Sequence, residues 1–339
     1  MKTKLLDCTI RDGGYINNWN FSDEFATELI NVLDQLKYDY IELGYSYKDN
    51  KYCDMYGGKW RNINSNTINL KKNNIKFAIM CDNKEFKKEL FYIKNKNIDL
   101  IRLAFHKHEL DNIIDNAIYL KNLGYKISLN AMGTINYTDN ELTKLCNNYI
   151  KHNFEYLYIA DSYGGMYPND IKNIQDKIYK YTNNNVLLGF HSHNNIQNGI
   201  NNVFYCIDNG FDIIDTTVLG LGRGIGNAQT ELLLCKLHKE YNNYNPYPII
   251  KFINNHMYKF TLTNIYYIPY LISGYFNCHP SYISKIIENK ITDFSIMWNI
   301  IQEICNKNEQ SSFNNSILET IIYKYINNTS NLNDYVNHI

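Results

Sequence analysis

Neither sign of charge is in excess in this chain of 339 residues, because 34 lysines and arginines balance 34 aspartates and glutamates. The balance gives no electrostatic basis for binding nucleic acid or a membrane surface, so a ligand has to be recognised locally. No apolar run approaches the roughly 20 residues of a membrane-spanning helix, and the N-terminus enters the first predicted strand without room for a signal peptide. We therefore expect a cytoplasmic protein.

Paired cysteines are also lacking. The eight cysteines are scattered and include no C-x-x-C pair, which argues against a zinc ribbon and against a disulfide framework. What the chain does have is apolar residues: 45% are hydrophobic and 14% are aromatic. A chain of this length and composition can bury the core of one barrel-sized domain and still carry an appendage.

Short apolar runs alternate with amphipathic segments along the first two thirds of the chain. A helical period is clear at 23–36 and 194–209. Eight β-α repeats, with strands apolar on both faces, predict a TIM (β/α)8 barrel over residues 1–241. The eight predicted strands are 5–10, 40–44, 75–80, 100–105, 127–131, 156–160, 186–190 and 213–219.

Polar residues fall in or just after six of these strands, which favours the barrel over its rival, a doubly wound sheet. In a barrel, the carboxyl ends of the strands converge on one mouth, whereas in an open sheet they spread along an edge. The polar residues are Arg11 and Asp12, Glu42, Arg102, Asn130, Asp161, and His191 with His193.

The two histidines predict a metal site. His191 and His193, one residue apart on a strand, project to the same side with Cα atoms about 6 to 7 Å apart, so their imidazoles can share one ion. The Asp12 carboxylate would complete the set, and nitrogen with oxygen ligands suits Mn²⁺, Fe²⁺, Co²⁺ or Zn²⁺. The alternatives are two ordinary histidines at a strand end and, for the segment around Arg11, a strand closed by a turn.

Five motifs occur in order between residues 4 and 232: Asp7-x-Thr9-x-Arg11-Asp12-Gly13, Ile41-Glu42-Leu43-Gly44, Asp161-Ser162-Tyr163-Gly164-Gly165, Gly189-Phe190-His191-Ser192-His193-Asn194, and Gly220 to Asn227 followed by Glu231. Together they resemble the DRE-TIM metallolyase superfamily, which includes 4-hydroxy-2-oxovalerate aldolase, 3-hydroxy-3-methylglutaryl-CoA lyase and the isopropylmalate and homocitrate synthases.

The resemblance implies chemistry at a carbon–carbon bond through the enolate of a 2-oxo acid such as pyruvate. It implies a divalent metal, Mn²⁺ or Mg²⁺ with Zn²⁺ or Co²⁺ as alternatives, on Asp12, His191 and His193. Asn227 would be a fourth ligand or lie beside the metal. Arg11 would offer a cation to the enolate oxygen and Glu42 would orient it; for both, a structural salt bridge between strands is the alternative. We expect Arg102, Asn130, Asp161 and Tyr163 to bind substrate.

The chain departs from the aldolase pattern at Tyr15, where the pyruvate aldolases carry a histidine that acts on the 4-hydroxyl of the substrate. A tyrosine hydroxyl, with an ordinary pKa of about 10, is a poor base at pH 7. Either Tyr15 is tuned by the metal and Arg11, or Tyr163, His106 or a metal-bound hydroxide takes this role. The segment 45–61, with Lys59, Trp60 and Arg61, is either a lid over an anionic substrate or an ordinary surface loop.

The last hundred residues have a different character. A linker with two prolines is predicted at 242–248, followed by a small helical domain at 249–339, with helices at 265–276, 280–288 and 295–305. In related aldolases, a C-terminal helical region contacts a partner dehydrogenase. Residues 273–280 do not resemble that region, so we expect no such partner and expect a homo-oligomer, a dimer. His279 is expected to pack and cap a helix, or else to reach a barrel mouth.

Three functions follow from these observations. The first is a metal-dependent aldolase or lyase acting on a 4-hydroxy-2-oxo acid, and the second is a Claisen-type synthase that joins acetyl-CoA to a 2-oxo acid. The synthases usually carry Glu-Gln after Arg-Asp-Gly, and Gly14-Tyr15 stands there in this chain, which favours the aldolase. The third is a non-catalytic barrel that serves as a scaffold, against which the full ligand set argues.

Overall fold

The computed structural model describes residues 2–46, 58–63, 70, 74–91, 94–261, 268–269, 272, 276, 278, 281–310 and 313–327. The chain divides into two compact units, Met1–Tyr244 and Asn245–Ile339.

Eight parallel strands of the first unit close into a barrel, in the order in which they occur along the chain. The barrel closes where Leu6 in the first strand pairs with Asp215 in the last. The predicted TIM barrel is therefore confirmed, and the doubly wound sheet is excluded. The strands are β1 (Lys4–Asp7), β2 (Tyr40–Tyr45), β3 (Lys76–Asp82), β4 (Leu100–Phe105), β5 (Lys126–Met132), β6 (Tyr156–Asp161), β7 (Leu188–Ser192) and β8 (Ile213–Thr216).

Helices with defined caps alternate with most of these strands. Ser22 accepts a hydrogen bond from the Phe25 amide, and Thr138 forms a capping box with Glu141. Between β3 and β4, the described residues form only two short 3-10 helices, Asn83–Glu85 and Lys88–Phe91. The helices of this unit are α1 (Thr9–Asn17), α2 (Asp23–Gln35), α3 (Leu110–Asn122), α4 (Asp139–His152), α5 (Pro168–Thr182), α6 (Gly199–Asp208) and α7 (Thr230–Tyr241).

The first strand ends earlier than predicted, and α1 follows it at once. The Asp7 carboxylate accepts hydrogen bonds from the amide and the hydroxyl of Thr9, both at 2.9 Å, and so turns the backbone out of the strand. The prediction that the strand runs to residue 10 and ends in Arg11 and Asp12 is wrong, because both residues lie in α1. Gly14 is inside this helix too: a Cβ there would lie 2.2 Å from the Trp19 indole.

Two further boundaries moved for local reasons. The helix predicted at 194–209 begins at Gly199, because the Asn194 side chain accepts a hydrogen bond from the Gly199 amide at 2.8 Å and holds a turn before it. The strand predicted at 186–190 is shifted to Leu188–Ser192. This shift places His191 inside β7 and His193 immediately after it.

Large buried side chains fill the lower part of the barrel. Tyr40 and Tyr156 face each other with ring centroids 6.4 Å apart, and Lys4 donates a hydrogen bond to the Tyr156 hydroxyl at 2.7 Å. Leu6, Leu100 and the two tyrosines belong to one fully buried cluster. This cluster fills the amino-terminal end of the barrel interior. The polar side chains lie at the opposite end, where the strands have their carboxyl ends.

The second unit is helical in its described residues. Pro248, predicted in the linker, lies in the first turn of a helix, where a missing amide hydrogen costs nothing. Predicted helices at 280–288 and 295–305 correspond to observed ones, whereas His279 and most of 265–276 lie outside the described residues. None of the described helices could cross a membrane. The helices are α8 (Tyr247–Phe252), α9 (Tyr258–Thr261), α10 (Ser281–Glu288), α11 (Phe294–Asn306) and α12 (Asn315–Asn327), with a π-helical turn at Ile253–Met257.

Candidate metal centre

Three side chains predicted to bind a metal come together at the mouth of the barrel. One ligand atom each from Asp12, His191 and His193 lies within 4.8 Å of the other two. The imidazole rings stand nearly perpendicular, at 88°, with centroids 5.2 Å apart. All three residues are buried. A carboxylate oxygen and two imidazole nitrogens in this arrangement can hold one divalent cation and leave positions open.

A second triad in the described residues shares His191. Cys8, His191 and Asp215 also offer ligand atoms within 4.8 Å of one another. Burial raises the pKa of the Cys8 thiol well above its ordinary value, and only a thiolate is a good ligand. Asp215 Oδ2 is already engaged by His191 Nδ1, at 2.9 Å, and by Arg102. The triad with Asp12 is therefore the better cation site.

The protonation of Asp12 and His193 suits a cation. Burial would lower the pKa of His191, but its hydrogen bonds to Asp12 and Asp215 raise it above the ordinary value, so a cation competes with a proton there. Burial lowers the pKa of His193 to about 4, so its imidazole is neutral at pH 7, as a ligand must be. Burial would raise the pKa of Asp12, but Arg11 and the two histidines hold it well below its ordinary value. His191 can donate from Nδ1 to Asp215, which leaves the lone pair of Nε2 on the side of Asp12, 3.6 Å from its Oδ2.

The loop after β8 fits a cation at this place. Asn227 donates to Asp12 Oδ2 at 2.6 Å and to the Leu221 carbonyl at 3.0 Å, while its buried Oδ1 has no hydrogen-bond partner among the described residues. An unsatisfied buried acceptor beside a carboxylate is the environment that a cation relieves. Gly222 lets the loop come this close, because a Cβ there would lie 2.0 Å from Asn227 Nδ2 and 3.2 Å from Asp12 Oδ2.

Buried charges continue from the triad in a closed ring, which we call the charge ring. It contains three carboxylates and two guanidiniums, so with a neutral histidine its net charge is −1, and a bound dication would make it +1. Arg11 Nη1 lies 3.0 Å from Asp12, and Arg11 Nε lies 2.6 Å from Glu42. Arg102 Nη1 lies 2.9 Å from Glu42, and Arg102 Nη2 contacts Asp215. His191 closes the ring, because it lies 2.9 Å from Asp215 and 3.6 Å from Asp12.

Arg11 has one nitrogen left for a ligand. Its Nε and Nη1 are engaged by Glu42 and Asp12, whereas Nη2 is buried and without a hydrogen-bond partner in the part of the chain that is described. An orphan buried donor costs stability unless something binds it. The guanidinium is thus held by Glu42 and Asp12, and its Nη2 is left to bind a ligand. This arrangement is the one predicted for a group that stabilises a developing negative charge.

Arg102 sits deeper than a substrate-binding residue would. Its side chain is completely buried, it pairs with Glu42 and Asp215, and its guanidinium carbon lies 4.5 Å from the centre of the Tyr158 ring. These contacts support a role in positioning Glu42 and Asp215 and do not support the predicted contact with substrate. Asn130 lies on the same inward face of β5 as Ser128, which donates to it at 2.7 Å.

The motif after β6 organises a loop. The two carboxylate oxygens of Asp161 accept hydrogen bonds from the amides of Gly165 and Met166, both at 3.1 Å, so its side chain caps this turn. Tyr163 is 56% exposed, and its hydroxyl accepts a hydrogen bond from Asn136 at 3.3 Å. Contact of Asp161 and Tyr163 with substrate stays a prediction.

Tyr15 belongs to an aromatic wall at the mouth. Its hydroxyl lies 3.0 Å from that of Tyr45, and both rings pack edge-on against Trp19. Trp19 in turn donates from its indole to the Arg11 carbonyl at 2.7 Å, and the Arg61 guanidinium lies 4.4 Å from the Trp19 ring. Lys59 pairs with Asp23 on α2, and residues 47–57 of the predicted lid lie outside the described residues.

Sequence reasoning missed Asp215, which orients His191 and closes the charge ring. The signal was present, because Asp215 is the one carboxylate in the apolar run 213–219. Its Oδ1 also accepts a hydrogen bond from the Tyr158 hydroxyl at 2.8 Å. Tyr158 in turn needs Gly189 opposite it, because a Cβ at Gly189 would lie 2.5 Å from the tyrosine ring.

We expect Asp215→Asn to weaken metal binding about 10- to 100-fold, because a partner that fixes the orientation of a ligating histidine typically contributes that much. Calorimetric titration of the metal-stripped protein measures the effect. Asp208→Asn, on the outer helix α6 and 3.7 Å from Lys236, is the matched control and should leave the affinity unchanged. Equal affinities in the two variants would contradict this role for Asp215.

Comparison with known proteins finds relatives over most of the barrel. A sequence model of the HMGL-like family matches residues 2–252. The 4-hydroxy-2-oxovalerate aldolase of Bacillus cereus is 25% identical over 249 residues, which are 70% of each chain. An oxaloacetate decarboxylase of Mycobacterium tuberculosis is 23% identical over 69% of this chain and 70% of its own length.

Solved structures agree on the fold. An N-terminal domain from Bacteroides vulgatus, assigned provisionally as an aldolase, is 31% identical with a TM-score of 0.68, over 84% of this chain and 96% of that domain. The HMG-CoA lyase of Bacillus subtilis, 15% identical with a TM-score of 0.59 over 74% of this chain and 91% of its own, shares the fold. The chain belongs to the HMGL-like family and, with it, to the DRE-TIM metallolyases.

Proposed function

We propose that this protein is a divalent-metal-dependent aldolase that cleaves or forms a carbon–carbon bond of a 4-hydroxy-2-oxo acid through a pyruvate-type enolate. The observation that carries the proposal is the free Nη2 of Arg11 beside the metal triad. Relatives named as aldolases at 25 to 28% identity support the reaction class. The oxaloacetate decarboxylase relative fits the same class, since loss of CO₂ from oxaloacetate also leaves the pyruvate enolate.

In the cleavage direction, the bond between C3 and C4 breaks. The 4-hydroxyl gives up its proton and becomes the carbonyl of the departing aldehyde, while the electron pair remains on the pyruvate fragment as its enolate. A proton returned to C3 then yields the methyl group of pyruvate. A divalent cation on Asp12, His191 and His193 would supply Lewis-acid stabilisation of the negative charge that develops on the keto oxygen.

The residues of the chain supply the rest. Arg11 is aligned by Asp12 and Glu42, so that its Nη2 donates to the oxygen that becomes negative, without reorganisation at the moment of reaction. Burial of the charge ring strengthens that interaction. Glu42 is in turn held by Arg102. We assign the 4-hydroxyl proton to the ionised form of Tyr15, to which the Tyr45 hydroxyl can donate a hydrogen bond across the 3.0 Å contact. Tyr15 is exposed at the rim and then releases this proton to solvent, which also supplies the proton that returns to C3.

Exchange of the methyl protons of pyruvate in D₂O tests the proposal, with deuterium measured by mass spectrometry. We expect exchange with Mg²⁺ or Mn²⁺, none in the metal-stripped protein, and none in His191→Ala/His193→Ala. The matched control is His108→Ala, an exposed histidine after β4; it should keep the exchange. No exchange by the metal-loaded wild type would falsify the pyruvate enolate.

Tyr15→Phe separates the two proton transfers in the same assay. Because exchange involves only the methyl group, the variant should still exchange pyruvate, while cleavage of 4-hydroxy-2-oxo acids falls. Cleavage at the wild-type rate in Tyr15→Phe would move the 4-hydroxyl proton to another group.

A further inference from the structure

Arg223 directly follows Gly222, a residue beside the Asp12 carboxylate, and is not used by the proposed reaction. The preceding Gly222 touches the triad, since a Cβ there would lie 3.2 Å from Asp12 Oδ2. Arg223 itself is exposed, and its guanidinium carbon lies 5.9 Å from the centre of the Tyr15 ring. The loop thus passes directly beside the metal ligands and then presents a cation at the rim, over the residue assigned to the 4-hydroxyl proton.

The backbone that carries Arg223 is held in place. Its carbonyl accepts a hydrogen bond from the Gly226 amide at 3.2 Å. Asn195 ties the loop to its neighbour, because its Oδ1 accepts from the Ile225 amide at 3.1 Å and its Nδ2 donates to the Tyr163 carbonyl at 2.9 Å. The His193–Asn227 bridge fixes the end of the loop. The backbone that carries the cation is therefore fixed at the rim.

The guanidinium of Arg223 has no carboxylate partner in the part of the chain that the structure describes. Within the described ranges it makes no ion pair, whereas Arg11 and Arg102 are each paired with two carboxylates. Its contact with the Tyr15 ring leaves the guanidinium N–H groups free, and they match the two oxygens of a carboxylate or a phosphate.

The charges at the barrel mouth favour a substrate with two anionic groups. With a dication bound, the charge ring has a net charge of +1, which the carboxylate of one 2-oxo acid neutralises. Arg223 adds a further positive charge on the side of Tyr15, where the part of the substrate beyond the C3–C4 bond would lie. A second anionic group on that part of the substrate would balance it.

We propose that Arg223 binds an oxyanion on the aldehyde portion of the substrate, so that the enzyme acts on 4-hydroxy-2-oxo acids with a second acidic group, a carboxylate or a phosphate. This inference rests on the proposed function. It makes Arg223 a residue that determines specificity for the aldehyde fragment, distinct from the groups that act on the pyruvate fragment.

Three 4-hydroxy-2-oxo acids of similar length, ending in a methyl group, a carboxylate and a phosphate, test it. We expect the wild type to favour one of the acidic substrates. Arg223→Gln should lower the ratio of kcat/KM for that substrate to kcat/KM for the methyl-ended one about 10- to 100-fold, mainly through KM, as for loss of one hydrogen bond to a charged group. The two acidic arms distinguish carboxylate from phosphate.

Two controls make the outcome decisive. Lys144→Gln removes a positive charge on the outer helix α4, 2.6 Å from Asp111, and should leave the ratio unchanged; Arg223→Lys should restore part of it. A wild type without preference for either acid, or an equal loss on all three substrates in Arg223→Gln, overturns the inference. Pyruvate exchange by the wild type separates this failure from failure of the proposed function, because exchange does not involve the aldehyde fragment.

Discussion

Arg11→Lys is expected to lower the rate of pyruvate methyl exchange about 10²- to 10³-fold, as removal of one preorganised oxyanion donor does in other enzymes. The guanidinium uses Nε for Glu42 and Nη1 for Asp12 and keeps Nη2 for the substrate. A lysine ammonium is a single point charge and cannot hold this fork, although it preserves the charge of the ring.

The metal content of the Arg11→Lys variant is the control. Because Asp12, His191 and His193 are unchanged, we expect the variant to bind Mn²⁺ with nearly the wild-type stoichiometry, so that the lost rate reports the guanidinium itself. Exchange within a few-fold of the wild type, at equal metal content, would show that charge alone suffices at this position and would remove Arg11 from the reaction.

Arg102→Met is expected to lower the free energy of unfolding of the metal-stripped protein by about 3 to 5 kcal/mol, the usual cost of removing one partner of a buried ion pair. Arg102 is completely buried between Glu42 and Asp215. Without it, Glu42 keeps only Arg11 and Asp215 keeps only His191, so three buried carboxylates of the charge ring face one guanidinium. Burial opposes the charge of Arg102, but Asp215 and Glu42 hold its pKa well above the ordinary value.

Chemical denaturation followed by circular dichroism measures this loss. Lys144→Met breaks a pair whose lysine is 52% exposed, and solvent screening makes such pairs weak, so this control should hardly move the midpoint. A triple variant that also carries Glu42→Gln and Asp215→Asn should recover part of the loss, because the unpaired charges are then gone. If Arg102→Met behaved like the surface control, the charge ring would not be a structural element.

Hydrophobic periodicity and residue type were sufficient to predict the fold and part of the candidate metal site. Eight apolar runs with polar ends led to the barrel, and the spacing of His191 and His193 led to two of the three members of the triad. The predicted boundaries of strands and helices were wrong where a side chain accepts a hydrogen bond from a backbone amide. Asp7 accepts one from Thr9, and Asn194 accepts one from Gly199. Such contacts depend on local geometry that hydrophobic patterns do not encode.

Contacts between distant residues were the other feature that the sequence could not predict. Arg102 and Asp161 have the residue types of ligand-binding groups, but Arg102 pairs with carboxylates from β2 and β8, and Asp161 is used by its own loop. The pairing of buried charges on different strands depends on the register of the strands, which the sequence alone does not show. The role of Asp215 also became visible only with its partners Arg102 and His191 in place.

The charge ring also bears on how the chain folds. Asn227 and Asp12, joined by a hydrogen bond, are 215 positions apart, and the ligands at residues 191 and 193 meet Asp12 only when β8 has paired with β1. Contacts of such long range form late, because the loop between them must close first. A cation that binds this site therefore stabilises only chains whose barrel is already closed. Metal availability should then raise the yield of folded protein by slowing reopening of the β1–β8 seam, without speeding the early steps of folding.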